Sequence, residues 1–423
     1  MDKIVLSRTK SPVPFRQIDE SEPEWFYRLR RDGWNNYHTS DIPIRASQLW
    51  RYTDPAKFEI EKLLPSEFAL PSIGNGDNGG PAAEKGELEK NFRITSELKE
   101  KGVIFKDLFS AVRMNAALVG KYLGQHTGGD FGRYEALNIA LWNRGWFLYI
   151  PDNTVVKDPI NIKSILHGPY EFRRLLIVVG DNSEATIVDD YLPSEQADNR
   201  QYNCVIDLFA GNAANLKYVN LQRANNEARG LVTYRAVIGR DTNLQSIFGG
   251  FGGSTVKVNA GVKIDGRGAN SRMDGIVFAD RKQHFDYHTR HHHTAGDTYS
   301  DLDFKVVLKD KSDSAYTGLI RIEKDALNCE AYQENRNLLL NRGARAESIP
   351  ELEILTDEVR CTHGATMGPI DPEMIFYLRS RGFNRNEAVT AVVEGFVNSI
   401  LDRVPDNVGQ IFREAVAAKL GTD

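Results

Sequence analysis

The segment Gly180-Asp181-Asn182-Ser183-Glu184-Ala185 begins a pattern that recurs along the middle of the chain, each time just before a strand-like run. Its next three counterparts start at Gly211, Gly239 and Gly266, at intervals of 31, 28 and 27 residues. Two later segments of similar character start at Asp310 and Asn341. Glycine, asparagine and aspartate tolerate the positive φ angles of tight corners. Each interval has room for two or three short strands joined by turns.

Recurrent strand–turn units of this period predict a solenoid, in which each coil buries its apolar face on the next coil. From about residue 135 to 366, short β-branched runs alternate with turns, and no long helical pattern is evident. We therefore expect a mainly β core over residues 125–368 with the architecture of a parallel β-helix. Because the period is imperfect, a β-sandwich is the competing interpretation.

The N-terminal part of the chain has a different residue pattern, with helix-like segments and loops, which predicts a helical domain over residues 1–124. Pro23 fits the first turn of a helix because its φ angle is already helical. The stretch at about 65–86 is rich in glycine, proline and asparagine and has little to bury, so it predicts a flexible linker. Helix-like segments return from about residue 85 to 124.

The C-terminal part, residues 369–423, predicts a second helical domain. Asp371 can cap a helix, Pro372 fits its first position, and Gly382 fits the position just after its end. A further helix is expected to present one apolar stripe, formed by residues four apart: Ala388, Val392, Phe396 and Ile400. Such a helical unit after a solenoid either caps the open end or docks a partner.

Composition narrows the class of protein. The chain has 423 residues, a net charge of −5 and a pI near 6.1, which gives no electrostatic case for binding nucleic acid. No apolar run approaches the roughly 20 residues that cross a bilayer, and the N-terminus lacks the apolar region of a signal peptide. The three cysteines are too few and too scattered for a disulfide framework. We expect a cytoplasmic protein that binds neither nucleic acid nor membrane.

Cys361 and His363 are the first candidates for chemistry. Residues two apart on a strand point to the same face, so this pair would present a thiol beside an imidazole. These are a soft and a borderline ligand, which iron or zinc accepts. A structural site needs more ligands, and Cys204 and Cys329 are companions only if the coil register stacks them. The alternatives are a small buried cysteine and a hydrogen-bonded strand histidine.

Five of the nine histidines fall within ten residues and form a second candidate: His284, His288, His291, His292 and His293. Histidine is the commonest metal ligand at neutral pH. However, the spacing fits no closed zinc motif, and adjacent strand residues point to opposite faces. The competing interpretations are a solvated strand and turn, or a subunit interface.

Motifs for other chemistries are absent from the sequence. The glycine-rich stretch 249–254 lacks the Gly-Lys-Ser/Thr ending of a phosphate loop, so it predicts a corner. There is no Gly-x-Ser-x-Gly, His-Glu-x-x-His or Cys-x-x-Cys. The sequence therefore predicts no self-sufficient active site.

Several stretches resemble the SufB/SufD family of the Suf iron–sulfur cluster assembly machinery, most of all its SufD branch. They are Trp50-Arg51-Tyr52-Thr53, Gly102–Leu108, Leu137–Pro151, Tyr332–Leu340, Arg360–Gly368 and Ile375–Gly382. SufB-like chains carry a cysteine just before the apolar end of the fourth stretch, and this chain has none there. The resemblance implies a right-handed parallel β-helix flanked by helical domains, and a scaffold without catalytic activity.

The resemblance also implies partners and site residues. The chain would pair with a SufB-like subunit and bind a SufC-like ABC ATPase through its C-terminal helices, at Phe376, Tyr377, Arg379, Arg381 and Gly382. The isolated chain would hold no cofactor, and a nascent Fe–S cluster would form where the two scaffold subunits meet.

Within that cluster site the family histidine corresponds to His363. Cys361 lies beside it with a less secure role, and His293 is a weaker match to a second family histidine. Whether the isolated chain forms a homodimer stays open. The alternative functions are a carbohydrate-active β-helix enzyme, which needs paired acidic residues in a groove, and a metal-dependent enzyme that uses the histidine cluster.

Overall fold

The computed structural model describes residues 22–58, 94–166, 170–194 and 200–421, and the predicted linker at 65–86 lies outside these ranges. The described chain is a parallel β-solenoid of about eight turns with helices at both ends. The prediction of a parallel β-helix is confirmed, and the β-sandwich interpretation is wrong. The helices are α1 (Glu24–Thr39), α2 (Ser96–Glu100), α3 (Leu108–Met114), α4 (Ala116–Val119), α5 (Arg133–Leu141), α6 (Pro372–Ser380), α7 (Arg385–Leu401) and α8 (Asp406–Leu420).

The strands form two sheets that face each other across the interior. Sheet A has the order β1-β2-β4-β6-β8-β10-β12-β14-β16, and sheet B has the order β17-β15-β13-β11-β9-β7-β5-β3. The bounds are β1 Ile104–Asp107, β2 Arg144–Ile150, β3 Ile160–Ile165, β4 Tyr170–Val179, β5 Glu184–Leu192, β6 Gln201–Ala210, β7 Asn215–Gln222, β8 Arg229–Ile238, β9 Asn243–Gly250, β10 Thr255–Ile264, β11 Asn270–Ala279, β12 His284–His293, β13 Tyr299–Leu308, β14 Asp313–Ile322, β15 Cys329–Leu339, β16 Arg345–Ile354 and β17 Val359–Pro369.

Alternate residues of each strand fill the interior. On β10, Val256, Val258, Ala260, Val262 and Ile264 are all buried in one apolar cluster that runs through the solenoid. Burying one such aliphatic side chain contributes about 1.5–3 kcal/mol relative to leaving it exposed. Since the strands pair in parallel and in register, the same face stays interior from coil to coil.

The recurrent segments are the corners of the solenoid. Asp181 Oδ1 accepts a hydrogen bond from the backbone N–H of Asn212 (2.7 Å), and Asn212 Oδ1 accepts one from Arg240 N–H (2.9 Å). Each corner therefore caps the backbone of the next. The four glycine-led segments connect sheet A to sheet B, whereas those at Asp310 and Asn341 make the return turns. The stretch 249–254 also turns a corner, between β9 and β10.

The N-terminal helices cover the outer face of the first strands of sheet A. Arg174 on β4 donates to Asp207 on β6 and to Asn138 on α5, and all three are fully buried. Two elements differ from the expected domains: Ile104–Asp107, within the predicted helical domain, is strand β1, paired antiparallel with β2, and α5 lies inside the predicted β core. The pairing of β1 with β2 joins segments about 40 residues apart, which local sequence does not reveal.

The C-terminal helices α7 and α8 pack on the outer face of sheet B, around a cluster that includes Val393, Val397 and Phe412. Asp371 caps α6 as predicted, and Asn384 and Glu387 form a capping box at the start of α7. The predicted stripe is partly wrong, because Val393 and Val397 are buried while Val392 and Phe396 are only partly buried. Helix α7 contacts both sheet B and α8, and this broadens and rotates its buried face.

No helix in the described part of the chain is long and apolar enough to cross a membrane.

Candidate functional site at the open end of the solenoid

The last coil ends the stack of strands. Within the described ranges, β16 pairs with β14 and β17 pairs with β15, and neither has a strand on its other side. Their outer backbone N–H and C=O groups form an open edge, which is a template for pairing with another chain. The interior face of this coil is the exposed mouth of the solenoid.

Cys361 and His363 both lie on β17 and face this mouth. Cys361 is in register with Ala331 and His363 with Gln333, and both partners are buried on the interior face of β15. Cys361 is half-buried against the interior cluster, whereas His363 is exposed. The pair therefore presents a thiol and an imidazole from one face of a terminal strand.

Burial raises the pKa of the Cys361 thiol, and the neighbouring Cys329 raises it further. The protonated thiol is therefore the resting form at neutral pH, and binding a metal would release its proton.

The other two cysteines lie at different distances from Cys361. Cys329 lies on β15, one coil below and two positions before Cys361, and it is fully buried. Its Sγ is 3.1 Å from Thr298 Oγ1 and 3.2 Å from the carbonyl oxygen of Ala326. Cys204 lies far from the mouth on β6, and burial raises its pKa to about 12. Register therefore brings Cys329, and not Cys204, near Cys361.

The histidine cluster is divided between the two faces of β12. His291 and His293 point into the interior, and His284, His288 and His292 lie on the outer face of sheet A. His292 is half-buried and the other four histidines are buried, so the interpretation as a solvated strand and turn is wrong. Neighbouring hydroxyls and carboxylates surround the rings, and they include Ser271, Asp286, Thr298, Asp313 and Glu323.

His293 does not join the pair at the mouth. Its Nδ1 is 2.7 Å from Thr298 Oγ1 and its Nε2 is 2.8 Å from Ser300 Oγ, so hydroxyl groups engage both nitrogens. It also lies on β12, two strands below the last strand of sheet A. Burial lowers its pKa to about 4. Both ring nitrogens of His293 are therefore engaged within the solenoid, away from Cys361 and His363.

Within residues 22–58, 94–166, 170–194 and 200–421, no group of three or more His, Cys, Asp or Glu side chains is arranged to hold a metal ion. The mouth therefore offers two ligands, Cys361 and His363, from this chain. A cluster that needs four ligands would have to be completed from outside it.

The candidate docking residues lie on and just after α6. Phe376 is 74% exposed and Tyr377 is 55% exposed, and no residue of α6 is buried. The Arg381 guanidinium lies 5.2 Å from the centre of the Tyr377 ring, and Gly382 has a φ of +101° that ends the helix. Together, Phe376 and Tyr377 give α6 an exposed apolar surface.

Sequence reasoning missed residues that add to both surfaces. Met374 and Phe383 extend the exposed apolar surface of α6, and Met367 lies exposed on β17. Gln333 lies in register with His363, and its burial places a polar amide under the mouth. The signal for Gln333 was its even spacing, two and four positions, from Ala331 and Cys329, which puts all three on one face of a strand.

Comparison with known proteins gives the family. Residues 88–162 match the SufBD protein N-terminal region, and residues 164–396 match the SufBD core domain of the SUF system for FeS cluster assembly. The chain is 29% identical to the iron–sulfur cluster assembly protein SufD of Bacillus subtilis over 91% of each chain. It is 24% identical to iron–sulfur cluster assembly SufBD family proteins of Staphylococcus saprophyticus and Staphylococcus aureus, over 91% of this chain and 87% of theirs. The core family model matches more than half of the chain, and these relatives align with 91% of it. The chain therefore belongs to the SufBD family of iron–sulfur cluster assembly proteins.

Proposed function

We propose that this chain is a SufD-like, non-catalytic scaffold subunit that acts in the cytoplasm, pairs with a SufB-like subunit and contributes His363 to a nascent cluster. The observation that carries the proposal is the position of His363 and Cys361 on one face of the terminal strand, at an open edge. A partner that pairs with this edge would satisfy its backbone groups and bring its own ligands to the mouth. A cluster shared in this way needs only two ligands from each subunit.

The exposed surface of α6 is the proposed site for a SufC-like ABC ATPase. The chain carries no nucleotide-binding motif in its sequence, so hydrolysis would be supplied by that partner. Helix α7 follows α6, and Arg403, in the turn just after α7, is ion-paired to Asp274 on β11 and Asp303 on β13. Movement of the ATPase would therefore reach sheet B, and with it the last coil, through packed and charged contacts.

The geometry gives less support to an enzyme. The buried carboxylates Asp189, Asp207 and Asp286 are each ion-paired with an arginine or a lysine of the solenoid, so they are engaged within the fold and do not form a free acid–base pair in a groove. The histidines are spread over two faces of β12 and engaged by protein groups.

The test is anaerobic co-expression with SufB-like and SufC-like partners, followed by purification through a tag on this chain. The proposal expects a stable complex with one SufB-like chain and two ATPases, and with Fe–S absorbance in the visible range. His363→Ala is expected to remove most of that absorbance while leaving the subunit ratio unchanged. Thr362→Ala is the matched control, because Thr362 is the adjacent exposed residue on the opposite face of β17. Full cluster yield in the His363 variant would overturn the proposed role.

A further inference from the structure

We propose that Gln333 is a positioning residue for His363: its amide oxygen accepts a hydrogen bond from one imidazole N–H, which leaves the other ring nitrogen directed to the open mouth as a ligand. The inference rests on the proposed function in that it names the residue that would prepare His363 for a cluster. It concerns a contact within this chain, so it can be tested without the partners.

Register and face place the two side chains next to each other. Gln333 and His363 are direct partners on the neighbouring parallel strands β15 and β17. Gln333 shares the interior face of β15 with Ala331, and His363 shares the interior face of β17 with Cys361. Paired strands lie about 4.8 Å apart, so an imidazole N–H and an amide oxygen at the same register position are within reach of each other.

The amide oxygen of Gln333 lacks a hydrogen-bond partner within the described chain. Gln333 is only 4% exposed, and its Oε1 is buried. A buried acceptor without a donor is energetically unfavourable, which favours a hydrogen bond from the nearest available N–H. Other donors on the same face are already engaged, because Asn335 Nδ2 donates to the carbonyl oxygen of Phe304 and Asn337 Nδ2 donates to Asn335 Oδ1.

Gly318 on β14 holds the amide in place from the opposite sheet. A Cβ at Gly318 would lie 2.4 Å from Gln333 Nε2 and 2.8 Å from Oε1, so the amide fills the space that the missing side chain leaves. The Gln333 side chain therefore extends across the interior, with its amide packed against the backbone of Gly318. This packing limits the positions that the amide can take under the mouth.

The chemistry of a histidine ligand gives this contact a purpose. A neutral imidazole has one N–H and one nitrogen with a lone pair, and only the latter can bind a metal. Ligating histidines usually donate their N–H to an oxygen, which fixes both tautomer and ring orientation, and losing that oxygen typically reduces metal affinity or activity about 10- to 100-fold. Gln333 supplies such an oxygen without adding a charge to the interior.

The first measurement is the tautomer of His363 in the full chain labelled with 15N-histidine, with the His363 signal assigned by its loss in His363→Ala. The proposal expects one tautomer in the wild type and a mixture of tautomers in Gln333→Leu. Gln333→Glu retains an acceptor and is expected to keep a single tautomer. Glu334→Ala, the adjacent residue on the opposite face, is the matched control and is expected to behave as the wild type. An unchanged tautomer in Gln333→Leu overturns the proposal.

Gly318→Ala gives a second approach that leaves both residues in place and serves if the leucine variant does not fold. The added Cβ displaces the amide, so the same mixture of tautomers is expected, and a wild-type signal from a folded Gly318→Ala protein counts against the proposal.

In the purified complex, Gln333→Leu is expected to lower cluster content about tenfold or more at an unchanged subunit ratio, and Gln333→Glu to restore it. If His363→Ala assembles clusters normally, the proposed function fails, and the tautomer data then support the hydrogen bond alone.

Discussion

Lys257 and Asp286 lie opposite each other on β10 and β12, with Nζ 2.8 Å from Oδ2, and both are almost fully buried on the outer face of sheet A. The N-terminal segment covers them: Thr53 donates to Asp286 and lies 2.9 Å from His284 Nε2, and the Trp50 ring lies 5.2 Å from Lys257 Nζ. The Trp50–Thr53 motif is therefore a clamp that fastens this segment to the solenoid.

The clamp predicts a large stability loss when one charge is removed. Lys257→Met leaves the Asp286 carboxylate buried without its cation, which typically costs about 3–5 kcal/mol. The free energy of unfolding in urea measures this loss. Lys263→Met, on the same strand but in an exposed ion pair, is the control and is expected to change stability by about 0.5 kcal/mol or less. Equal effects of the two substitutions would contradict the clamp.

The same ion pair predicts acid sensitivity. Burial alone would raise the pKa of the Asp286 carboxyl, but the neighbouring His288 and Lys257 outweigh it and hold the pKa well below its usual range. A carboxyl with a depressed folded-state pKa stabilises the protein above its unfolded-state pKa of about 3.9 and loses this contribution as the pH falls. The free energies of unfolding of the wild type and of Asp286→Asn are therefore expected to converge as the pH falls below 4.

The buried histidines predict a second pH dependence at higher pH. Burial, with a smaller effect of His293, lowers the pKa of His291 to about 3, against about 6.5 in the unfolded chain. The unfolded state then binds a proton that the folded state does not, so stability falls as the pH drops from about 6.5 toward 4. The slope is at most about 1.4 kcal/mol per pH unit for one histidine. His291→Gln is expected to remove this contribution to the pH dependence of the free energy of unfolding. An unchanged pH dependence in that variant would contradict the role of His291.

The tight interior predicts that replacing glycine with alanine destabilises the protein at one position and leaves its stability unchanged at another. A Cβ at Gly275 would lie 2.2 Å from the Phe304 ring, whereas a Cβ at Gly364 has no atom within 4 Å. Overpacking of this kind typically costs about 1–3 kcal/mol. Gly275→Ala should therefore unfold at a lower temperature than the wild type, whereas Gly364→Ala should unfold at the same temperature as the wild type. A neutral Gly275→Ala would mean that Phe304 can move.

The exposed surface of α6 predicts a change in binding without a change in stability. Phe376→Ala removes a side chain that is 74% exposed, so the free energy of unfolding should change by about 0.5 kcal/mol or less. If this surface docks the ATPase, the same variant should weaken that complex about tenfold or more, because buried aromatic anchors dominate interfaces. Titration of the purified ATPase measures the effect, and Met114→Ala, at an exposed site elsewhere, is its control. Equal affinity for both variants would place the docking site elsewhere.

The sequence by itself determined the features that depend on local chemistry. Residues such as Asn182 and Asp241 mark corners because asparagine and aspartate tolerate the positive φ angles, 53° and 55°, that they adopt there. The two-residue spacing of Cys361 and His363 puts them on one face of any strand. The caps of α6 and α7 likewise depend on residues only a few positions apart.

Only the tertiary structure decided which of these features meet. Sequence spacing could not tell that His363 faces the open mouth or that Gln333 lies beside it, because strand register joins these two residues across 30 positions. Nor could it tell that the turn after β12 brings Thr298 and Ser300 back to the ring of His293. The segment Ile104–Asp107 forms a strand because it pairs antiparallel with β2. Local propensity is weak beside such burial and pairing energies, so the fold, rather than the motif, decides which side chains can act together.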